Sequence, residues 1–279
     1  MTARPLDLPD FGAPPVTEVV LGVQFGSLDR LTAPHLGMVW AEFRDQFPII
    51  EEHPPLDPVF ETFADEAPRT PMPRLQFELL ASPPPPRIFF INAARTQLLQ
   101  VQRDRFVHNW RKIGDGDAYP RFEQMLNTFE DGYRKFSTLI EREDLGAVVP
   151  NQCEISYINQ IIIPPEQKTF ETFKHLLGTF TDNVILDDLG QPEDARLFFR
   201  YIIRDNDGVP VGRLLVTALP ARRLDGVNIV QFTLIARGKP TTPDLTDVND
   251  FFTNGRRYIV RAFTHLTSDE MHKTWERRQ

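Results

Sequence analysis

The sequence predicts an α+β protein built as two pseudo-equivalent halves, each running strand, helix, antiparallel strands and long helix. The same element order reads once over residues 16–146 and again over 151–267, with a boundary near Gly146–Asn151. Each pass ends on an amphipathic helix of about 20 residues. Two turn signals, Asn206-Asp207-Gly208 and Leu224-Asp225-Gly226, separate the later strands as hairpins. The two halves share almost no residue identity, so the repeat is one of pattern.

The first 15 residues are Pro-rich and read as a flexible tail. Thr17–Phe25 is rich in β-branched residues and reads as a strand. Thr32 then caps a helix whose apolar face is Leu36, Val39, Trp40, Phe43 and Phe47, ended by Pro48. A Pro-rich loop leads to strands at Leu75–Leu80, Arg87–Asn92 and Leu98–Trp110. The first long helix, from about Tyr119 to Glu141, carries the stripe Phe122, Met125, Leu126, Phe129, Tyr133, Phe136 and Ile140. In the second half Gln152–Ile163 is a strand closed by two prolines. A helix follows with Phe170, Phe173, Leu177 and Phe180 on one face. Strands at Ala195–Arg204, Val211–Leu219 and Val227–Arg237 precede the second long helix, about Thr246 to Leu266. Residues 268–279 form a short C-terminal helix, with Thr267 and Glu270 at capping-box spacing and Met271 and Trp275 on one face.

Hydrophobic residues make up 41% of the 279 and charged residues 25%, as in a folded globular chain. The net charge of −8 suits nonspecific nucleic-acid wrapping poorly, because neutralising phosphates supplies most of that affinity. Cys153 is the only cysteine, which excludes an internal disulfide. No leader-like apolar stretch opens the sequence and no run reaches membrane-spanning length, so a cytoplasmic protein is expected.

The segment Leu98–Lys112, LLQVQRDRFVHNWRK, is strand-like yet loaded with long polar, basic and aromatic side chains. A strand that only closes a core alternates apolar and plain polar residues. Here one face carries Gln100 and Gln102 and the other Arg103, which points to a sheet with a hydrogen-bonding surface. Candidate binding residues are Gln100, Gln102, Arg103, Arg105, Asn109, Trp110 and Arg111, with Trp275 from the C-terminal helix. Arg196, Arg200 and Arg204, spaced by four along one strand, share a face and form an alternative basic surface; Arg213 and Arg237 lie on neighbouring strands.

No catalytic constellation is present. Cys153 sits in an apolar strand, as an inert buried thiol does. The six histidines form no HExxH or other close ligand pair, so no metal site is expected. Asp205-Asn206-Asp207-Gly208 imitates a calcium loop, but its twelfth position is Val216 where a bidentate Glu is required; Asp115-Gly116-Asp117 fails likewise at Leu126. Asp244, Asp247 and Asp250 suit the start of a helix. No phosphate-cradling glycine motif occurs, and no cofactor is expected.

The motifs PPVTEV (14–19), LLQVQRDRFVHNWRK (98–112), YPRF (119–122), EISYINQI (154–161), ARGKP (236–240) and MHKTWER (271–277) together resemble a sporadically distributed bacterial family of functionally uncharacterised proteins, nearly end to end. The resemblance implies no activity, cofactor or catalytic residue; the family's patchy occurrence is like that of defence-associated accessory genes. The element order is similar to TATA-binding-protein and helix-grip architectures, an analogy of fold only. The expected function is a non-enzymatic binding protein with a macromolecular partner, another protein or a second copy, in a regulatory or defence-type system. The alternatives are a small-ligand binder with an aromatic-lined cavity between helix and sheet, and a nucleic-acid module using the basic and aromatic sheet face.

Overall fold

The structure, a computed structural model, describes residues 8–63 and 86–278. The strands are β1 (Val16–Phe25), β2 (Ile49–His53), β3 (Arg87–Ile91), β4 (Gln97–Gln102), β5 (Arg105–Arg111), β6 (Pro150–Ile162), β7 (Leu197–Arg204), β8 (Pro210–Arg222) and β9 (Asn228–Gly238). The α-helices are α1 (Ala33–Phe43), α2 (Phe122–Arg142), α3 (Thr169–Leu176), α4 (Leu245–Leu266) and α5 (Asp269–Thr274). The nine strands make one antiparallel sheet in the order β2-β3-β4-β5-β1-β6-β9-β8-β7. This is the α+β class expected. β1 and β6 pair along the middle, from Glu18 opposite Ile158 to Gln24 opposite Gln152, so a single sheet continues across residues 146–151.

One face is covered by helices because both long helices present apolar stripes to it. On α2 the buried side chains include Phe122, Met125, Phe129, Phe136 and Ile140; on α4 they include Val248, Phe252, Ile259 and Phe263. They meet Val19, Leu21 and Val23 of β1, Phe106 of β5, Ile155 of β6 and Phe232 of β9, all essentially inaccessible. Phe106 lies against Phe129 and Phe136, with ring centroids 5.9 and 5.3 Å away, and Phe129 meets Phe252 edge-on at 5.0 Å. Each such buried ring contributes roughly 1.5–3 kcal/mol. Phe43 of α1 packs beside Phe90 and Phe106 on the same face.

Several expectations are corrected. Residues 98–110 are not one strand but the hairpin β4–β5, turning at Arg103-Asp104. The turn contains neither Gly nor Pro and is fixed from outside: its carbonyls accept from the amides of Leu28 and Phe25. β2 completes the sheet edge beyond β3 and follows directly on Pro48. Residues 8–15 are docked rather than loose: Phe11 packs edge-on against Phe263 and Trp275, and the amides of Gly12 and Ala13 donate to Glu276 and Trp275 carbonyls. Ser268, not Thr267, caps α5, because the Thr267 hydroxyl is taken by the Phe263 carbonyl and His272. The expected strand at Leu75–Leu80 lies outside the described residues.

Candidate ligand site on the open sheet face

The sheet face opposite the helices is polar. Its rows follow the register: Gln102 stands beside Arg105, Arg105 beside Gln24, and Gln24 beside Gln152. In the next row but one, Gln100 leads through Val107 and Gly22 to Glu154 and then Arg237. The glutamines are buried, at 5–9% exposure, so their amides must find partners within the protein.

Residues 54–63 supply many of those partners. This segment crosses the open face as an extended strap. The Gln102 side-chain amide bonds both backbone groups of Leu56, accepting from its N–H at 2.9 Å and donating to its carbonyl at 2.8 Å. It thereby acts as a neighbouring strand would. The Gln24 Oε1 accepts from the Val59 amide at 3.0 Å, and Arg105 donates to the Asp57 carbonyl at 2.9 Å. Farther along, the buried Glu61 carboxylate lies 2.7 Å from Arg213 Nε and 3.5 Å from Arg237 Nη1, and the Arg213 guanidinium covers the Phe63 ring.

A second set of bonds runs under the strap. Arg87 donates to Gln100 Oε1 at 3.0 Å, Gln100 to Asn109 Oδ1 at 2.8 Å, and Asn109 to Glu18 Oε1 at 2.7 Å. Amide dipoles thus link a cation to an anion across four strands. Burial pushes the Glu18 carboxyl above the ordinary carboxylate range, with the Asn109 bond and Arg111 opposing it.

Between strap and sheet lies a cavity of about 450 Å³, floored by Gln24, Gln100, Val107, Gln152 and Glu154, edged by Arg87 and Arg105, and roofed by Leu56, Asp57 and Val59. Three donors here have no hydrogen-bond acceptor among the described residues: Arg87 Nε, Arg105 Nε and Gln152 Nε2. Arg105 Nε has the Asp104 carboxylate at 3.5 Å. Burial, then the charge of Arg105, lowers the Arg87 pKa. Amides and guanidiniums do not exchange protons near neutral pH, and Glu154 is held by Arg237 at 2.6 Å and by the Ser156 hydroxyl. Among the described residues the cavity thus presents hydrogen-bond donors rather than an acid–base pair.

Of the residues singled out from the sequence, Gln100, Gln102, Arg105 and Asn109 lie together on this open face. Others do not. Trp110 and Trp275 are 3% and 5% exposed, on the helix side and beside Phe263, and are not available to anchor a partner. Arg103 is in the turn, donating to the Leu31 carbonyl, and Arg111 donates to the Arg95 carbonyl at the strand end. Arg196, Arg200 and Arg204 are exposed near or on β7, at the far end of the sheet from β5, with Arg204 bonded to the Gly208 carbonyl. Phe106 and Trp110 line the opposite face, so the interleaved basic and aromatic surface is not formed. Sequence reasoning missed Gln24, Arg87, Gln152 and Glu61. The signal for Gln24 was a polar residue within the otherwise apolar run Val19–Phe25; Gln152, among Asn151, Glu154 and Ser156, carried none.

On the helix side an aromatic-lined cavity of about 80 Å³ lies between β6, β9 and α4, bordered by Phe11, Tyr119, Tyr157 and Phe263, well below the usual size of a ligand site. A cleft of about 560 Å³ does open between the end of α1 and α2, but polar residues such as Gln46, Asp131 and Lys135 line much of it. Arg134 there is 63% exposed and paired with Glu130. Cys153 is buried on the helix side, and burial pushes its thiol pKa up. The acidic turns are local: Asp205 Oδ1 accepts from the Asp207 and Val209 amides, and Asp117 Oδ2 from Ile113 and Gly114. Asp244 and Asp247 bond Thr242 at the start of α4. Among the described residues no group of His, Cys, Asp and Glu is placed to hold a metal ion, and no helix is long and apolar enough to cross a membrane. No protein-family model matches the chain, and no curated protein matches it.

Proposed function

We propose that this is a non-enzymatic binding protein whose ligand is a small molecule held on the open sheet face beneath residues 54–63. The observation that carries the reading is the half-open cavity of about 450 Å³ between strap and sheet, with unpartnered donors beside it, a volume within the usual range of ligand sites. At residues 56–59 the strap is tied by the side chains of Gln102, Gln24 and Arg105 rather than by a strand ladder. Hydrogen exchange during a small-molecule screen tests this. A ligand at about 100 times its Kd stabilises by about 2.7 kcal/mol and should slow exchange at Leu56 and Val59. Paired replacement of Gln24 and Gln102 by Ala should abolish that protection. If every binder found leaves residues 54–63 unchanged, the site is elsewhere.

A protein partner is the second reading, favoured by β7. This end strand exposes Phe198, Tyr201 and Ile202 at 61%, 44% and 47%, and exposed edge strands template further pairing. Antiparallel pairing of two β7 strands about Arg200 would set Arg196 against Arg204, so an acidic partner strand fits better than a second copy. Ile202→Glu should then leave the protein's sedimentation unchanged while weakening capture of an acidic β-strand peptide, through like-charge repulsion. Loss of a dimer in that variant would restore self-association instead.

A further inference from the structure

We infer that the cavity beneath residues 54–63 takes a small organic anion, whose carboxylate or phosphate oxygens are held by Arg87, Arg105 and Gln152. This rests on the binding reading above and names the chemistry of its ligand.

The inference follows from which hydrogen-bonding capacity is still unused. Three of the amide acceptors around the cavity are occupied. Gln24 Oε1 takes both the Val59 amide and Arg105, Gln100 Oε1 takes Arg87, and Asn109 Oδ1 takes Gln100. Two nearby carboxylates are engaged too. Asp104 accepts from Gln102 Nε2 at 2.8 Å, and Glu154 from Arg237 and Ser156. Three buried donors remain without a hydrogen bond, two of them on guanidiniums, of which Arg105 Nε has the Asp104 carboxylate at 3.5 Å. Gln152 is 5% exposed, so its idle Nε2 has no recourse to bulk water. A buried donor left unpaired carries a desolvation cost that an acceptor oxygen removes.

Charge points the same way. Arg87 has no carboxylate partner among the described residues; it rests over the Phe89 ring at 4.9 Å and spends Nη1 on Gln100. Its Nε remains unused, and that edge of a guanidinium is the fork that grips a carboxylate or phosphate with two bonds. Arg105 is close enough to depress the Arg87 pKa, so an anion between them relieves a repulsion as well as satisfying donors. A cation would meet a lining with three guanidiniums (Arg87, Arg105 and Arg237) against the two carboxylates of Asp57 and Glu154. Inorganic phosphate alone would leave much of the 450 Å³ unfilled, whereas an organic anion reaches Val107 and the Leu56–Val59 roof.

Isothermal titration of the whole protein with succinate, glycerol 3-phosphate and inorganic phosphate tests the inference. Dimethyl succinate and putrescine serve as neutral and cationic probes, all at matched ionic strength. At least one anion should bind, with the organic anions tighter than phosphate. Arg87→Gln should weaken it at least tenfold, Arg87→Lys should restore part of the loss, and the remote Arg200→Gln should change nothing. Should Arg87→Gln fail to fold, Gln152→Glu carries the test, since a carboxylate placed there repels an anion while keeping both guanidiniums. Anion binding unaffected by Arg87→Gln and Gln152→Glu, or no anion binding at all, overturns the inference. Binding of the neutral or cationic probe with protection of residues 54–63 would overturn it while leaving the small-molecule reading intact.

Discussion

Gln102 and His108, six residues apart on one hairpin, end in opposite environments because the hairpin's two faces differ. Gln102 looks to the strap, and its paired bonds to Leu56 contribute about 0.5–1.5 kcal/mol each. Gln102→Leu should therefore raise proteolysis within residues 54–63 without lowering the melting temperature by more than a few degrees. An unchanged cleavage rate would mean the other tethers suffice. His108 is fully buried on the helix side, with Nε2 3.3 Å from Gln97 Oε1. Burial drives its pKa from 6.5 down to about 4. Below about pH 6.5 the unfolded chain takes up a proton that the native state refuses, so stability falls as pH falls toward 4. The loss reaches about 2 kcal/mol by pH 5. Urea unfolding at pH 7.5 and 5.0 should show that fall in the parent and a flatter dependence in His108→Gln. Parallel curves would exclude His108 as the cause. At this scale polarity was legible, since Gln100, Gln102 and Asn109 stood out in the sequence as a bonding surface. Burial was not: Trp110 and Trp275 read as exposed anchors, and only the packing of Tyr119 and Phe263 against them decides otherwise.

Among the elements, the long helices were the most legible, because the spacing of Phe122, Phe129 and Phe136, or of Val248, Phe252 and Ile259, repeats at the helical period. The β8–β9 hairpin was legible for a different reason: Gly226 sits at φ 90°, a conformation that other residues rarely adopt, at the Asp-Gly turn. The Arg103-Asp104 turn has no such signal and went unread. The strap was hard to read because residues 56–59 are gripped by their backbone, and among the described residues only Glu61 and Phe63 engage the sheet through side chains. Close approach of helix to sheet gives the sharpest prediction at this scale. A Cβ on Gly255 of α4 would lie 2.6 Å from Ile155 Cγ2 and 3.1 Å from Ala236 Cβ. Replacing a mid-helix Gly by Ala favours the helix by about 1 kcal/mol, but overpacking a dense core costs about 1–3 kcal/mol. The clash has β6 and β9 behind it, so Gly255→Ala should be destabilising in thermal unfolding. At Gly132 of α2 the nearest atom, Phe106 Cζ, is 3.2 Å away, and the same change should be closer to neutral.

For the whole molecule, the two segments that read as separate halves share more than a linker. β1 and β6 hydrogen-bond along the centre of the sheet, and above that seam α2 touches α4. Arg256 of α4 is buried at 7% exposure, donates to Glu123 of α2 at 2.7 Å and lies over the Phe122 ring at 4.7 Å. The strap adds a third tie, running from Gln102 on β4 to Arg213 on β8. A buried charge shared by the two long helices cannot be abandoned by one of them without cost, because the other is left with an unpaired buried ion. The chain should therefore unfold in one calorimetric transition, with the slowest amides of β5 and β9 exchanging at the same opening free energy. Phe252→Ala, at the contact with Phe129, should cost about 3–5 kcal/mol and lower protection on both sides of the seam. Two transitions, or a loss of protection confined to β6–β9, would make the seam an interface between independently stable units. Then the strap, spanning both, would be the element through which a ligand bound over β4 and β5 is felt at β8.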